Sequence, residues 1–314
     1  TFSDFCRGEG WSDESLNELV VNRNKSTLFD LLKFAANEKS EIGFALHVNY
    51  NVAGQIVEIN EIDFEALRYT TKGLLEWNND WVEYRKNNSV YYNEFNPERV
   101  KEEILESEGI NNYTGQVFYW KGTNKRYALS KFDAVLDDGQ YQAENQLFKL
   151  RNIQNDFMAS GVLRYPKVIE NSEEWQESKK EIKKSTGAKN ASKVILIANP
   201  PIAEGNNTKL WESFERNNVD SLFEKQNKEA VEAIFGIFRQ PTILNAINPN
   251  SGWANQQELQ DAFLYYNSIV EEDRKDVEKV FQKIIDASIW GGFKCEILPK
   301  NLIENGTNNT IDND

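Results

Sequence analysis

The residue types that most often carry catalysis or bind metals are scarce in this chain. It contains one histidine, His47, and two cysteines, Cys6 and Cys295, far apart in the sequence. A metal site needs several such ligands at close spacing, so we predict none. A Ser-His-Asp triad would have to use His47, for which we expect a solvated or interface position. The sequence has neither a Gly-x-Ser-x-Gly elbow nor a phosphate-binding loop. We therefore predict no catalytic residues and no cofactor.

Carboxylates are abundant, which leaves one hydrolytic chemistry open. A pair of Asp or Glu side chains can hydrolyse a glycosidic bond, and an acidic, Trp-rich and Asn-rich chain suggests a secreted protein that handles sugars. No carboxylate pair stands out, however, and Trp77, Trp120 and Trp211 are of a type found more often in cores and interfaces than as sugar platforms. Carbohydrate binding or glycoside hydrolysis by a secreted protein is therefore kept as an alternative to the function reached below.

The composition is that of a folded acidic protein. Its 314 residues carry a formal net charge of −14, with 27% charged and 39% hydrophobic residues, and about two domains are expected at this length. No hydrophobic run approaches the ~18 residues of a membrane span. The N-terminus has no signal-peptide pattern, and the missing initiator Met suggests an internal piece of a longer protein. The negative balance argues against tight DNA binding, which depends on Lys and Arg contacts to phosphate.

Hydrophobic patterning predicts an α+β domain across residues 1–135. A helix is expected to begin after Ser26. Residues 43–50 alternate as a strand that pairs back with residues 55–59. A second hairpin is expected from strands at 115–120 and 125–129.

The middle of the chain predicts a long helix followed by a β-α-β unit. Ala143, Leu147 and Leu150 recur at helical spacing within residues 140–158. The unit that follows comprises a strand at 162–168, a charged helix at 173–185 and a strand at 193–197.

Two helices then flank a short uncharged loop. The first helix, with a Ser221/Glu224 capping box and a possible start as early as Lys209, stops at Arg239-Gln240-Pro241, because proline cannot continue a helix. The loop covers 245–254. The second helix starts at Asn255 and keeps an apolar stripe for about seven turns. Its opposite face is expected to be charged, through Glu271, Glu272, Asp273, Arg274 and Lys275.

Several of these segments together resemble phage portal proteins, the ring-shaped DNA gates of tailed double-stranded DNA phages. The core signature of that family is matched by Ala233-Ile234-Phe235-Gly236-Ile237-Phe238-Arg239-Gln240-Pro241, followed by Ser251, Asn255, Glu258 and Phe263. Gly43-Phe44-Ala45-Leu46 with residues 54–59 is similar to the hairpin of the portal wing, and Gly161-Val162-Leu163 also matches. The resemblance extends roughly from Leu28 to Ile285 and rests mainly on the order of elements.

The resemblance implies a homo-oligomeric ring, usually a dodecamer, that has no enzymatic activity. Such a ring sits at one capsid vertex of the virion, is assembled in the host cytoplasm, and serves genome packaging, ejection and tail or neck attachment. Its implied partners are double-stranded DNA, the major capsid protein, the terminase and a head-tail adaptor protein, with no membrane. The implied layout is a wing at 1–135, a first stem helix at 136–159, a β-α-β clip at 160–205, a second stem helix at 206–240, a channel loop at 241–254, a long wing helix with the C-terminal wing at 255–304 and a disordered tail at 305–314, with the crown absent.

Three groups of site residues follow from this layout. The DNA-facing channel loop would present Asn245, Asn248, Pro249, Asn250, Ser251 and Trp253. The stem lining would comprise Glu224, Lys225, Lys228, Glu229 and Glu232. The clip interface would comprise Leu163, Tyr165, Ile195 and Ile197, because these strands are too apolar for a unit of about 40 residues to bury alone. Residues 209–238 hold four basic and six acidic side chains, a net of −2, so the channel wall is expected to repel phosphate.

Overall fold

The structure is a computed structural model that separates the chain into two compact units. It describes residues 1–123, 125, 127–154, 159–166, 172–177, 180, 193–199, 211–213, 219–245 and 256–301. Unit 1 comprises Thr1–Ala134 and Phe235–Asp314, and unit 2 comprises Val135–Ile234. The predicted α+β class is confirmed.

Helices and strands are both well represented in the described part of the chain. The α-helices are α1 (Phe2–Arg7), α2 (Glu14–Glu18), α3 (Leu28–Glu41), α4 (Val100–Glu106), α5 (Leu136–Gln154), α6 (residues 173–177), α7 (Val219–Gly236) and α8 (Gln256–Asp286). The strands are β1 (Phe44–Tyr50), β2 (Ile56–Ile62), β3 (Leu67–Tyr69), β4 (Leu75–Trp77), β5 (Val90–Glu94), β6 (Gln116–Trp120), β7 (Ala159–Pro166), β8 (Lys193–Asn199) and β9 (Trp211–Ser213). No described helix is both long and apolar enough to cross a bilayer.

Unit 1 is built on a six-stranded sheet in the order β2-β1-β6-β5-β4-β3. The predicted hairpin of residues 43–50 and 55–59 is confirmed as β1 and β2, which pair antiparallel. β6 pairs antiparallel with β1 and parallel with β5. Both edges of β6 are therefore occupied, so the hairpin predicted from 115–120 and 125–129 is wrong: residues 125 and 127–129 are not in a strand.

The alternation of β1 separates two hydrophobic clusters. Phe44, Leu46 and Val48 belong to the larger cluster, which also holds the apolar faces of α1, α3 and α8. Ala45 belongs to a smaller cluster with Phe64, Leu67, Leu75 and Val117. Successive strand residues point to opposite faces, so one strand contributes to both clusters.

The helix predicted after Ser26 is confirmed as α3, and a capping box sets its start. The Thr27 hydroxyl accepts a hydrogen bond from the backbone N–H of Asp30, 3.2 Å away, and the Asp30 carboxylate accepts one from the Thr27 N–H, 3.1 Å away. Two otherwise unpaired donors at the helix start are thus satisfied.

The long helix predicted from Asn255 is confirmed as α8, with one correction to its charged face. Arg274 was expected in solvent but is only 5% exposed. Its guanidinium donates to the Phe5 carbonyl, 3.0 Å away, and to both the side-chain and backbone oxygens of Asn267, each 2.9 Å away. Phe5 lies in the last turn of α1, whose carbonyls lack partners within the helix, and a cation satisfies them well.

Unit 2 contains a three-stranded sheet in the order β8-β7-β9. β7 and β8 are parallel, as the predicted β-α-β unit requires, and residues 173–177 between them are helical. Residues 211–213, placed by sequence at the start of the second long helix, instead form β9, antiparallel to β7. The helix begins at Val219, so Ser221 lies in its first turn rather than capping it.

Candidate channel-lining and assembly surfaces

The five residues predicted to line a channel lie together on one exposed face of α7. Glu224, Lys225, Lys228, Glu229 and Glu232 are all exposed. Two ion pairs run along this face, with 3.8 Å between Lys225 Nζ and Glu229 Oε1 and 3.9 Å between Lys228 Nζ and Glu232 Oε1. Exposed pairs of this kind contribute little to stability. The face is therefore a mixed, slightly acidic and fully hydrated surface, with two lysines against three glutamates.

The opposite face of α7 contacts α5 through polar groups. Gln142 Nε2 donates to the Asn227 carbonyl, 2.9 Å away, and Tyr141 Oη lies 3.2 Å from Gln226 Oε1. Asn145 Nδ2 lies 3.4 Å from Asn227 Oδ1. This contact orients the two helices with hydrogen bonds, and Ala230 is the buried apolar residue of the described α7 side chains.

α5 presents leucines on its own outer face. The apolar spacing predicted for Ala143, Leu147 and Leu150 falls on a helix, as expected, but these residues are exposed. Leu136, the first residue of α5, extends the same stripe and is also exposed. The pair of contacting helices thus has one charged outer face, on α7, and one line of exposed apolar residues, on α5.

The predicted clip residues lie on paired strands. Leu163 is opposite Leu196 of β8 and Trp211 of β9, and Tyr165 is opposite Ala198. Ile195 and Ile197 are in register with Val162 and Arg164 of β7. β7 is the central strand, which leaves β8 and β9 as the sheet edges among the described strands.

The predicted channel loop is described only at its start. α7 ends at Gly236, three residues before the predicted stop, and Arg239 follows with a positive φ of 50°. Asn245 is the last residue of a short 3₁₀ helix, Thr242–Asn245. The remaining loop residues, Asn248, Pro249, Asn250, Ser251 and Trp253, lie outside the described residues.

In unit 1, an aromatic cluster joins the segments just before α5 and just after α7. The Phe238 ring lies 5.1 Å from that of Phe2 and 5.6 Å from that of Phe132. Lys131 Nζ lies 4.3 Å from the Phe2 ring centre and 3.8 Å from the Asp273 carboxylate. Both chain segments therefore contact α1 or α8 within unit 1.

The titratable residues considered for chemistry are packed into unit 1. His47 is half-buried rather than solvated, with Nε2 2.7 Å from the Thr114 carbonyl and its ring 4.9 Å from that of Tyr92. Burial lowers the pKa of His47 below its ordinary value. Burial also raises the pKa of Cys6 and of Cys295 to about 12, so both thiols are protonated and unreactive at neutral pH. Among the described residues, no group of His, Cys, Asp and Glu side chains is placed to hold a metal ion.

The tryptophans considered as sugar platforms are also engaged by neighbours. The Trp120 ring stacks on Phe44 at 5.5 Å and has Lys39 Nζ 4.0 Å from its centre. Trp77 packs against the smaller hydrophobic cluster. These two rings therefore serve packing, in line with the expectation that such residues lie in cores or interfaces.

The fold is similar to that of chains from gene transfer agent (GTA) particles. A chain from the virion of the native particle aligns with a TM-score of 0.61 and 14% identity, over 95% of this chain and 77% of the other. A chain from the neck of the native particle, computed with C12 symmetry, gives 0.60 and 14%, over 95% and 78%. A chain from the neck of the empty particle, computed with C6 symmetry, gives 0.58 and 15%, over 91% and 72%. No family model and no curated protein matches the sequence.

Proposed function

We propose that this chain is a portal protein that forms a ring-shaped DNA channel at a capsid vertex of a phage-like particle. The observation that carries the proposal is the fold similarity, over 91% to 95% of this chain, to chains of GTA neck and virion assemblies, some computed with six-fold or twelve-fold symmetry. The hydrated face of α7 that holds Glu224, Lys225, Lys228, Glu229 and Glu232 is consistent with it. So is the portal-like order of elements along the sequence.

In this proposal the α7 face lines the channel and contributes a net charge of −1 per copy from the five residues. Repeated around a dodecamer, such a wall repels phosphate over a Debye length of about 10 Å at 0.1 M salt. DNA then slides without being held. The loop 245–254 projects into the channel, the clip meets the terminase during packaging and the head-tail adaptor afterwards, and the wing contacts the major capsid protein.

The first experiment is a mass measurement of the purified chain by mass photometry. A ring of hundreds of kilodaltons is expected, against 36.3 kDa for the single chain. A strict monomer with glycan affinity would instead support the carbohydrate-binding alternative and contradict the portal proposal.

A charge-reversal experiment tests the channel face directly. Glu229→Lys with Glu232→Lys raises the net charge of α7 by four units per copy, and Glu271→Lys with Glu272→Lys makes the same change at exposed positions of α8. We expect the α7 pair to make the ring retain duplex DNA and slow packaging, with strong salt dependence. The α8 pair should have a much smaller effect. Equal effects would show that the α7 face is not on the DNA path.

The unmodified ring should bind duplex DNA weakly, and Lys225→Ala with Lys228→Ala should change that little. Submicromolar binding that the double substitution abolishes would mean that the two lysines hold the DNA backbone. That result would contradict a wall that lets DNA slide but would leave the proposed ring standing.

Replacing Asn248, Pro249 and Asn250 with glycine should lower packaging without affecting assembly. Normal packaging would exclude the loop from the channel.

A further inference from the structure

A stripe of exposed leucines runs along α5 in unit 2. Leu136 is 62% exposed, Leu147 38% and Leu150 50%, and Ala143 between them is also exposed. Successive members of the stripe are seven, four and three residues apart. These spacings correspond to two turns, one turn and one turn of an α-helix, so the four residues lie on one line along it. Leucines of this number on one helical line are unlike the scattered apolar residues of an ordinary surface.

The stripe is turned away from the contact with α7. At about 100° per residue, its centre lies roughly 150° around the helix from Tyr141, Gln142 and Asn145, which contact α7. No α5 residue belongs to either hydrophobic cluster of the described chain, since both clusters lie in unit 1. The interior of unit 2, as far as it is described, comprises only Val135, Asn145, Trp175 and Ala230.

The geometry points to a second copy of this chain as the occupant of the stripe, an inference that rests on the proposed ring. Spacing of the a/d type, a narrow seam, is suited to another helix rather than to a small molecule. The charged face of α7 is stable in water, whereas the leucine stripe of α5 gains stability when another surface covers it. The wall of a ring around a water-filled channel requires one hydrated face toward the channel and one apolar face toward a neighbouring subunit. In a cyclic assembly each copy meets its neighbour through a patch unlike its own, so the stripe is the seam on one side of each subunit.

The matched pair Leu147→Asp and Gln146→Asp tests the seam. The two positions are adjacent, both exposed, and receive the same carboxylate, but only Leu147 lies on the stripe. We expect Gln146→Asp to assemble like the unmodified chain. Leu147→Asp should lower the assembled fraction at least tenfold at equal concentration, and Leu147→Asp with Leu150→Asp should give monomers of 36.3 kDa with unchanged circular dichroism.

The outcomes separate this inference from the proposed function. Rings formed by the double aspartate variant would overturn the seam and leave the portal proposal standing. An unmodified chain that stays monomeric at micromolar concentration would overturn both. A mass measurement that shows a different protein bound to the stripe, in place of a second copy, would also overturn the seam.

Thiol labelling decides the matter if the aspartate variants fold poorly. Cys6 and Cys295 are buried and protonated, so an introduced cysteine can be followed without background. In assembled rings, Leu147→Cys should react with a maleimide at least tenfold more slowly than Gln146→Cys. Equal rates in the ring would overturn the seam. Slow labelling of Leu147→Cys that persists in monomers made by dilution would mean that the chain covers its own stripe, and would overturn it as well.

Discussion

Replacing Lys39 tests how far burial controls the energy of a charged group in unit 1. The Lys39 side chain is 1% exposed, and its Nζ lies 3.2 Å from the Asp273 carboxylate and 3.3 Å from that of Asp276. It also lies 4.0 Å from the centre of the Trp120 ring. Lys39→Met keeps most of the apolar stem and removes the buried cation that both carboxylates share. Asp273 then keeps only the more exposed Lys131, 3.8 Å away, and Asp276 only the exposed Lys279, 3.6 Å away, among the described ion pairs.

The expected cost follows from the exposure of the partners. Removing one member of a fully buried ion pair costs about 3–5 kcal/mol. Asp273 and Asp276 are 27% and 36% exposed, so water recovers part of their solvation, and we expect about 3 kcal/mol for Lys39→Met. For a domain of this size that corresponds to a fall in Tm of about 6–12 °C.

The same helix provides the control. Lys33 also pairs with a carboxylate, Asp30 at 3.2 Å, and also lies over an aromatic ring, Phe29 at 4.2 Å, but it is 39% exposed. Lys33→Met should cost less than about 1 kcal/mol. Differential scanning calorimetry of both variants measures the contrast. Equal falls in Tm would refute the reasoning that burial, rather than the type of partner, sets the energy.

Three further predictions concern unit 1. His47 is the chain's one histidine, and its lowered folded pKa means that the unfolded chain binds more protons. Stability should therefore fall as the pH drops from about 7.5 through about 6.5, and His47→Gln should reduce that slope in pH-dependent urea unfolding. Gln116→Leu should cost about 2–4 kcal/mol by the same assay, since it leaves the Tyr50 hydroxyl (2.7 Å) and the Glu103 carboxylate (2.8 Å) without their buried partner. Gly8→Ala should cost about 1–3 kcal/mol in calorimetry, because Gly8 has a φ of 56° and an added Cβ would collide with the Leu298 carbonyl.

Hydrophobic periodicity predicted those parts of the fold that depend only on which face of a single helix or strand is buried. The alternation of β1 and the stripe of α8 were visible because apolar residues recur at the spacing of the structure that buries them. Pairing partners were less predictable. β9 is only three residues long and has its place because β7 offers a free edge, a fact that no local pattern records.

The buried cations show where residue type and helical phase disagree. Lys39 lies on the same side of α3 as Leu28, Leu32 and Ala35, and all four are buried. Arg274 likewise falls between Val270 and Val277 on the buried side of α8. Residue type led to the prediction that Arg274 faces solvent, whereas the position of each cation on its helix agrees with its burial. The structure accommodates them because carboxylates or carbonyls meet each charge, a pairing between distant segments that the sequence does not display.

The candidate channel face was predictable as a set of residues, and its meaning depends on the neighbouring helix. Charges at 224, 225, 228, 229 and 232 fit any solvated helix face. These charges indicate a function only when α5 is considered with them. The exposed leucines of α5 are more stable when covered by another surface, whereas the charged face of α7 is more stable in water. A free monomer in water satisfies the second need and not the first. In the proposed ring, a wall of repeated copies around an aqueous channel would satisfy both needs, so the side chains of α5 and α7 are arranged as that proposed assembly requires.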